Sequence, residues 1–264
     1  MQPLSQIIIK ELIVKMADDE LILGHRNSEW TGLGPVMEED IAFSSMAQDK
    51  IGHALALYTI LQEQFGERDP DHFAFLRKEK EYKCCHLVEI PGIEPPLPAD
   101  GYEFSLMRHF LFDHAETVRY ESLADSSFEP LRPLSKKFKG ELKYHTLHAN
   151  AWLTQLGHGS EEGHARMQVA LNECFPLALG IFEPGKEEWE QTLITGKVYI
   201  GEKALQQRWI GRIYPVLSNA ALNLPDMEKT TPVYGGRHGF HTEYLQPLLD
   251  EMSEVFRLDP GAGW

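Results

Sequence analysis

Four predicted helices of this chain carry carboxylates and histidines at spacings that could hold a metal ion. Residues three or four apart share a helix face, so Asp49 or Lys50 can point with His53. Neutral imidazole and carboxylate are ligands of iron, manganese and zinc. The candidate residues are Glu20 on the first helix, Asp49, Lys50 and His53 on the second, Asp113 and Glu116 on the fourth, and Glu141, His145 and His148 on the fifth. Chance produces such pairs in an acidic chain with 12 histidines, so spacing alone leaves solvated or hydrogen-bonded side chains as an alternative.

The segment 47–58 is the centre of this pattern. It predicts a buried helix of a four-helix bundle, at the place where a carboxylate-bridged di-iron protein carries Glu-x-x-His. The residue three before His53 is Lys50, and an ammonium has three donors and no lone pair for a metal. We therefore predict a metal-site scaffold without its metal chemistry, whose function lies with a partner chain.

The elements that position these residues are predicted to be helical. Windows of period two are few, Asn-Gly does not occur, and the Asp-Gly at Asp100-Gly101 follows a proline-rich segment and not a predicted strand, so it is no hairpin signal. We predict an all-α fold, a ferritin-like four-helix bundle core with additional helices, in a single domain over residues 1–264. The predicted helices run over about 4–26, 35–65, 70–86, 101–123, 129–156, 161–182 and 241–256, with at least one more inside 187–223.

Three local signals refine these helices. The acidic run 18–20 interrupts the apolar face of the first helix. Gly66 is expected to end the second helix, and Gly157 the fifth, while the sixth tolerates Pro176. The prolines between Pro91 and Pro98 predict an extended connection.

Composition excludes several classes of function. The formal charge is −15, which disfavours nucleic acid or an anionic membrane as partner. No run approaches the roughly 20 apolar residues that span a bilayer, and the N-terminus lacks the features of a signal peptide. Three cysteines form no disulfide framework, so we expect small buried thiols in a reducing cytoplasm.

Three further motifs could bind a ligand. The run 136–139 contains three lysines that could contact a CoA phosphate, although a solvated helix face is the favoured interpretation. The loop Gly235-Gly236-Arg237 could hold an anion at a helix N-terminus, but an ordinary connector or a contact between subunits is favoured. His241 could cap the last helix or meet a partner.

The segment Ala47-Gln48-Asp49-Lys50-Ile51-Gly52-His53-Ala54-Leu55-Ala56-Leu57-Tyr58 is similar to the second-helix motif of the phenylacetyl-CoA epoxidase family, bacterial multicomponent oxygenases with ferritin-like subunits. Where this chain has Lys50, the catalytic subunits of PaaA type have a metal-binding glutamate. A second glutamate of that pattern corresponds to Leu142. The vestigial di-iron positions that the resemblance implies are Glu20, Lys50, His53, Asp113, Leu142 and His145. With two carboxylates lost, Lys50 is expected to sit between Glu20 and Asp113 in place of metal charge.

Outside this segment the chain resembles the non-catalytic, structural subunits of PaaC type over nearly its whole length. The stretches that carry this resemblance are Arg26–Trp30, Glu141–His145, Ala221–Pro225, Gly235–Glu243 and the terminal Pro260–Trp264. The resemblance implies a hetero-oligomer with the catalytic PaaA-type di-iron paralogue and other epoxidase components, with contact to phenylacetyl-CoA through the complex and electrons from a separate reductase. We expect the chain to have no catalytic residue, cofactor or metal ion of its own, and a homo-oligomer when isolated is the alternative assembly.

Two other functions stay open at this point. The carboxylates and histidines could still form an atypical metal-dependent oxidase, whose ligands would be Glu20, Asp49, His53, Asp113, Glu141 and His145. Alternatively, the chain could be a free-standing helical protein that binds an acyl-CoA in its emptied centre.

Overall fold

A computed structural model describes residues 3–92 and 101–262, and the regular structure in these ranges is helical without a strand. The predicted all-α class, with a ferritin-like helical bundle and additional helices, is confirmed. The α-helices are α1 (Pro3–Ser28), α2 (Met37–Phe65), α3 (His86–Glu89), α4 (Tyr102–Leu123), α5 (Leu131–Gly159), α6 (Glu161–Leu179), α7 (Glu187–Thr195), α8 (Glu202–Asn219) and α9 (Leu245–Leu258). Within the same ranges, no helix is long and apolar enough to cross a bilayer.

Contacts divide the chain into two compact units. Unit 1 comprises Met1–Pro91 and Gly235–Trp264, and unit 2 comprises Gly92–Tyr234. The single domain over residues 1–264 stays a prediction. The predicted connection Pro91–Pro98 and the terminal motif Pro260–Trp264 lie partly outside the described residues.

Unit 1 is built on the antiparallel pair α1 and α2. Gly24, near the end of α1, lies close to Ile51 in the middle of α2, whereas Lys10 pairs with Glu67 just beyond α2 at 2.5 Å. Gly66 ends α2 with a left-handed φ of 68°, as predicted, because glycine adopts this conformation without a Cβ penalty. The α1–α2 pair therefore fixes which residues of the two helices face each other.

Unit 2 is organised around α4, which packs against α5, α6 and α8. Trp209 of α8 is completely buried and donates its indole N–H to the carbonyl of Leu111 at 2.9 Å. Arg119 of α4 makes two bonds, of 2.9 and 2.8 Å, to the buried carboxylate of Glu202. Since α6 continues through Pro176, the prediction of one helix across that proline is confirmed.

The predicted third helix, over 70–86, is wrong. That region contains a π-helical turn, His72–Leu76, a 3-10 turn, Glu79–Glu81, and only then α3. The backbone is extended at Arg77, with φ −78° and ψ 155°, and this lets the Arg77 guanidinium reach the carboxylate of Asp18 on α1. The buried ion pair of Arg77 with Asp18 thus outweighs the local sequence pattern that predicted a helix in this region.

Two predicted helix ends also differ from the structure. α5 runs through Gly157, where a Cβ atom would lie 2.2 Å from the carbonyl oxygen of Ala220. Gly157 is therefore a position of close packing and not a helix stop. The last helix begins at Leu245 and not at His241, because His241 and Thr242 bond to the side chain of Glu89.

Candidate functional site

Three consecutive acids on α1, Asp18, Asp19 and Glu20, are all buried. The run interrupts the apolar face of α1, and the helix is continuous across it, as predicted for residues 4–26. A buried carboxylate is costly unless it is paired and hydrogen-bonded. Successive residues of a helix are about 100° apart around its axis, so each acid meets a different cationic partner.

Glu20 lies between Lys50 and His53 of α2. Its Oε2 is 3.4 Å from the Lys50 Nζ, and its Oε1 is 3.2 Å from the His53 Nδ1. All three side chains are almost fully buried, with at most 1% exposure. The predicted contact of Lys50 with Glu20 is confirmed, whereas the predicted contact of Lys50 with Asp113, which belongs to unit 2, stays a prediction.

Asp18 accepts three side-chain hydrogen bonds from Arg77 and Tyr58. Arg77 donates to Oδ2 at 3.0 Å and to Oδ1 at 2.6 Å, and the Tyr58 hydroxyl donates to Oδ1 at 2.6 Å. Burial lowers the pKa of Arg77, but the Asp18 carboxylate together with Tyr58 and Tyr82 more than offsets this, and the net shift is upward. Burial and the same carboxylate raise the pKa of Tyr58 well above its usual value. The cluster therefore holds one cation, one anion and a neutral phenol at neutral pH.

Asp19 binds the arginine of the loop Gly235-Gly236-Arg237. Arg237 donates to its two carboxylate oxygens at 2.8 and 2.7 Å, and the backbone N–H of Cys85 donates to Oδ1 at 2.8 Å. Gly236 permits this approach, since a Cβ there would lie 2.1 Å from the carbonyl oxygen of Cys84. The loop is thus a connector whose arginine already binds an anion of its own chain, in agreement with the favoured interpretation.

Unit 2 holds a second buried polar cluster, formed by α4 and α5. The Nδ1 of His109 is 2.6 Å from the Oδ2 of Asp113, and the Nδ1 of His145 is 3.7 Å from the same oxygen. The ring of His109 also lies 5.7 Å, between centroids, from that of His148. Burial lowers the pKa of His109, more than the Asp113 carboxylate raises it, so this imidazole is neutral at pH 7.

The other predicted site residues differ in their exposure to solvent. Leu142 is completely buried and Glu116 is buried, whereas Asp49 and His148 are partly exposed. Glu141 is partly exposed and lies 3.7 Å from the ammonium of Lys137, one turn earlier on α5. Lys136 and Lys137 are exposed and Lys139 is partly exposed, as expected of a solvated helix face.

The donors in the two clusters do not fit the ligand set of a carboxylate-bridged di-iron centre. That ligand set takes a Glu-x-x-His pair from each of two helices. At the two glutamate positions this chain has an ammonium, which already contacts Glu20, and a leucine, which has no donor atom. The Lys50 ammonium lies 3.4 Å from the Glu20 carboxylate, so it repels a metal cation at that carboxylate.

Several residues of these clusters were missed by the sequence analysis. His109 lies four residues before Asp113, an i, i+4 spacing that could have been found beside the predicted pairs. Arg77 and Arg237 had no such signal, because they are 59 and 218 residues from their acids.

The pKa shift of His109 predicts a stability that depends on pH. An unfolded histidine has a pKa near 6.5, whereas native His109 resists protonation because burial lowers its pKa. The unfolded chain then binds more protons, so the free energy of unfolding falls as the pH drops below about 6.5. Urea unfolding of wild type and His109→Gln at about pH 7.5 and 5.5 tests this. We expect a smaller acid loss in the variant, with exposed His158→Gln behaving as wild type. Equal losses in all three would contradict it.

Together, the helices and clusters define an all-α protein of the ferritin-like class with buried ion pairs at its candidate metal positions. The chain belongs to the phenylacetic acid catabolic protein family, whose model matches residues 3–264. It is similar to the C component of the 1,2-phenylacetyl-CoA epoxidase of Escherichia coli (strain K12), with 28% identity over 251 residues, 95% of this chain and 97% of that protein. The predicted family resemblance is confirmed.

Proposed function

We propose that this chain is the structural, non-catalytic subunit of a multicomponent phenylacetyl-CoA epoxidase. In this role it pairs with a catalytic di-iron paralogue in aerobic phenylacetate degradation. The family match and the similarity to a component of the Escherichia coli epoxidase support the choice of complex. We also propose a cytoplasmic location, which the three free thiols at Cys84, Cys85 and Cys174 support.

The contact of Lys50 with Glu20 is the observation that favours a structural over a catalytic role. The ammonium supplies positive charge to a buried carboxylate, which is the electrostatic part that a metal ion plays for its ligands. Unlike a metal ion, the Lys50 ammonium has no open coordination position and no redox chemistry. The six positions Glu20, Lys50, His53, Asp113, Leu142 and His145 thus make up a vestigial site in this proposal, and oxygen activation belongs to the partner.

Exposed apolar residues on one face of α2 support the proposal that a partner chain binds there. Met37, Ile41 and Leu55 are 69%, 62% and 54% exposed. About eighteen residues make five helical turns, so Met37 and Leu55 lie on the same side of the helix, with Ile41 about 40° away. Met37 and Ile41 are one turn apart and Leu55 lies about 27 Å beyond Met37 along the helix; exposed apolar side chains on one side of a helix support a contact with a partner.

Iron analysis after coexpression tests the proposed role. The chain is purified alone and together with its catalytic paralogue, and iron is measured per polypeptide. We expect iron near zero in the isolated chain and about two per heterodimer, with epoxidation of phenylacetyl-CoA only by the complex and its reductase. Stoichiometric iron or manganese in the isolated chain, lost in His53→Ala, would overturn the structural role and favour an atypical oxidase.

Copurification tests the proposed interface. An Ile41→Glu variant puts a charge on the apolar face of α2, so we expect it to fold but to lose most of the paralogue. Leu258→Glu is the control, since Leu258 is 82% exposed on a different helix, α9. Equal recovery of the paralogue with both variants would rule out this face as the interface.

A further inference from the structure

Unit 1 brings together three side chains of metal-ligating type that the proposed epoxidase role does not use. They are Cys84, just before α3, Glu89, at the end of α3, and His241, in the segment before α9. One ligand atom of each lies within 4.8 Å of the other two. The Cys84 Sγ is 3.5 Å from the Glu89 Oε1 and 3.9 Å from the His241 Nδ1, and those two atoms are 2.7 Å apart.

The hydrogen bonds around His241 fix which of its ring atoms is available to a ligand. Its Nε2 lies 3.1 Å from the carbonyl oxygen of Tyr82. A carbonyl only accepts, so Nε2 carries a hydrogen and Nδ1 of the neutral ring presents a lone pair. This arrangement, in which one ring nitrogen donates to a backbone carbonyl and the other faces the side chains of Glu89 and Cys84, is typical of metal-ligating histidines.

Glu89 is oriented in a corresponding way. Its Oε2 accepts hydrogen bonds from the backbone N–H and the hydroxyl of Thr242, both at 2.7 Å. Its Oε1 therefore faces the Nδ1 of His241 with a lone pair of its own. Two lone pairs at 2.7 Å require a cation between or beside them, which is either a proton or a metal ion.

We propose that Cys84, Glu89 and His241 form a zinc site in unit 1. Thiolate, carboxylate and imidazole are the ligands that zinc takes in proteins, at about 2.3 Å from sulfur and about 2.0–2.2 Å from oxygen or nitrogen. A tetrahedral ion at those distances separates sulfur from the other two ligands by about 3.5–3.7 Å, close to the observed 3.5 and 3.9 Å. The oxygen–nitrogen edge has to open from 2.7 Å to roughly 3.3 Å.

Charge balance favours a divalent ion at this place. The side chains of Glu89 and His241 are completely buried, as is Cys84, and one thiolate with one carboxylate neutralises Zn²⁺. Burial, with Glu89 next to it, raises the pKa of the Cys84 thiol well above its usual value. Because a thiol must lose its proton to bind zinc, the affinity of this site for zinc depends on pH.

The consequence of such a site is a cross-link within unit 1. His241 is 157 residues from Cys84 in sequence, so the ion ties the returning C-terminal segment to α3. A ligand that binds only the native state stabilises it by mass action. Zinc bound by this chain is independent of the proposed epoxidase role, which concerns iron in a partner.

Zinc content and cobalt spectra of the full, untagged chain test the site. After incubation with zinc and dialysis, we expect about one zinc per chain in wild type and less than about a tenth of that in Cys84→Ala. Cobalt is expected to give a thiolate-to-cobalt charge-transfer band in the near ultraviolet. That band should be lost in Cys84→Ala, and the affinity for cobalt should fall about tenfold or more in Glu89→Gln.

Cys85→Ala is the matched control. Cys85 is adjacent and also buried, but its thiol is not among the three ligands, so its variant should keep zinc and the cobalt band. Equal zinc in wild type and Cys84→Ala would overturn the proposal. Should Cys84→Ala fail to fold, wild type and Cys85→Ala still decide it, because a wild type without zinc and without a thiolate band refutes the site.

Discussion

Lys50→Ala is expected to destabilise unit 1 by about 3–5 kcal/mol, the usual cost of removing one partner of a buried ion pair. Lys50 is completely buried and its ammonium lies 3.4 Å from Glu20, which is 1% exposed. Without it, the carboxylate keeps its contact with His53 at 3.2 Å but loses the permanent positive charge beside it. The measurement is the free energy of unfolding from urea denaturation at neutral pH.

Two further variants separate charge from volume. Lys50→Met keeps most of the side-chain volume, so its loss of stability reports the uncompensated charge. Adding Glu20→Gln to Lys50→Met should restore much of the stability, because the double variant has no buried charge left from this pair. Lys10→Ala is the surface control, since Lys10 and Glu67 are 35% and 31% exposed, and we expect it to cost less than about 1 kcal/mol. Unchanged melting of Lys50→Ala would refute the buried network.

Arg77→Met should have an effect of similar size, about 3–5 kcal/mol. The change removes two bonds to Asp18 and the guanidinium that lies 4.0 Å from the ring centre of Tyr82. The buried Asp18 carboxylate would then keep only the Tyr58 hydroxyl and the backbone N–H of Lys83 as donors. Thermal and urea unfolding measure the loss.

The matched control for Arg77 is Arg257→Met. Arg257 is 44% exposed and lies 3.7 Å from Asp250, so its loss should cost less than about 1 kcal/mol. Arg77→Lys should recover only part of the stability, because an ammonium cannot make the two parallel bonds of a guanidinium. Equal stability of Arg77→Met and Arg257→Met would contradict a structural ion pair at Asp18.

The long helices could be predicted from the sequence because their signals are local. The apolar period, the acids in the first turn of α2 and the stop at Gly66 all lie within the element that they describe. The region 70–86 could not be predicted in this way, since its backbone follows a contact between Arg77 and an acid 59 residues earlier. The end of α5 was missed for a similar reason, because Gly157 serves packing against Ala220 and not capping.

Helical spacing and family resemblance were enough to predict part of the candidate site. They placed Lys50 and His53 beside Glu20, and Asp113 beside His145, both of which the structure contains. They could not assign Cys84 and His241 to one cluster, because no spacing rule connects residues 157 positions apart. The sequence therefore shows which residues could bind a metal, but not which of the distant ones lie together in the folded chain.

The three adjacent acids of α1 have a consequence for the synthesis of the chain on the ribosome. Their cations come from positions 50, 77 and 237, so they become available one after another as the chain grows. Asp18 and Glu20 can be neutralised before unit 2 has been translated, whereas Asp19 waits until Arg237 has been made. Unit 2 is contiguous in sequence and can fold as it emerges. Completion of unit 1 is thereby postponed until translation is almost finished.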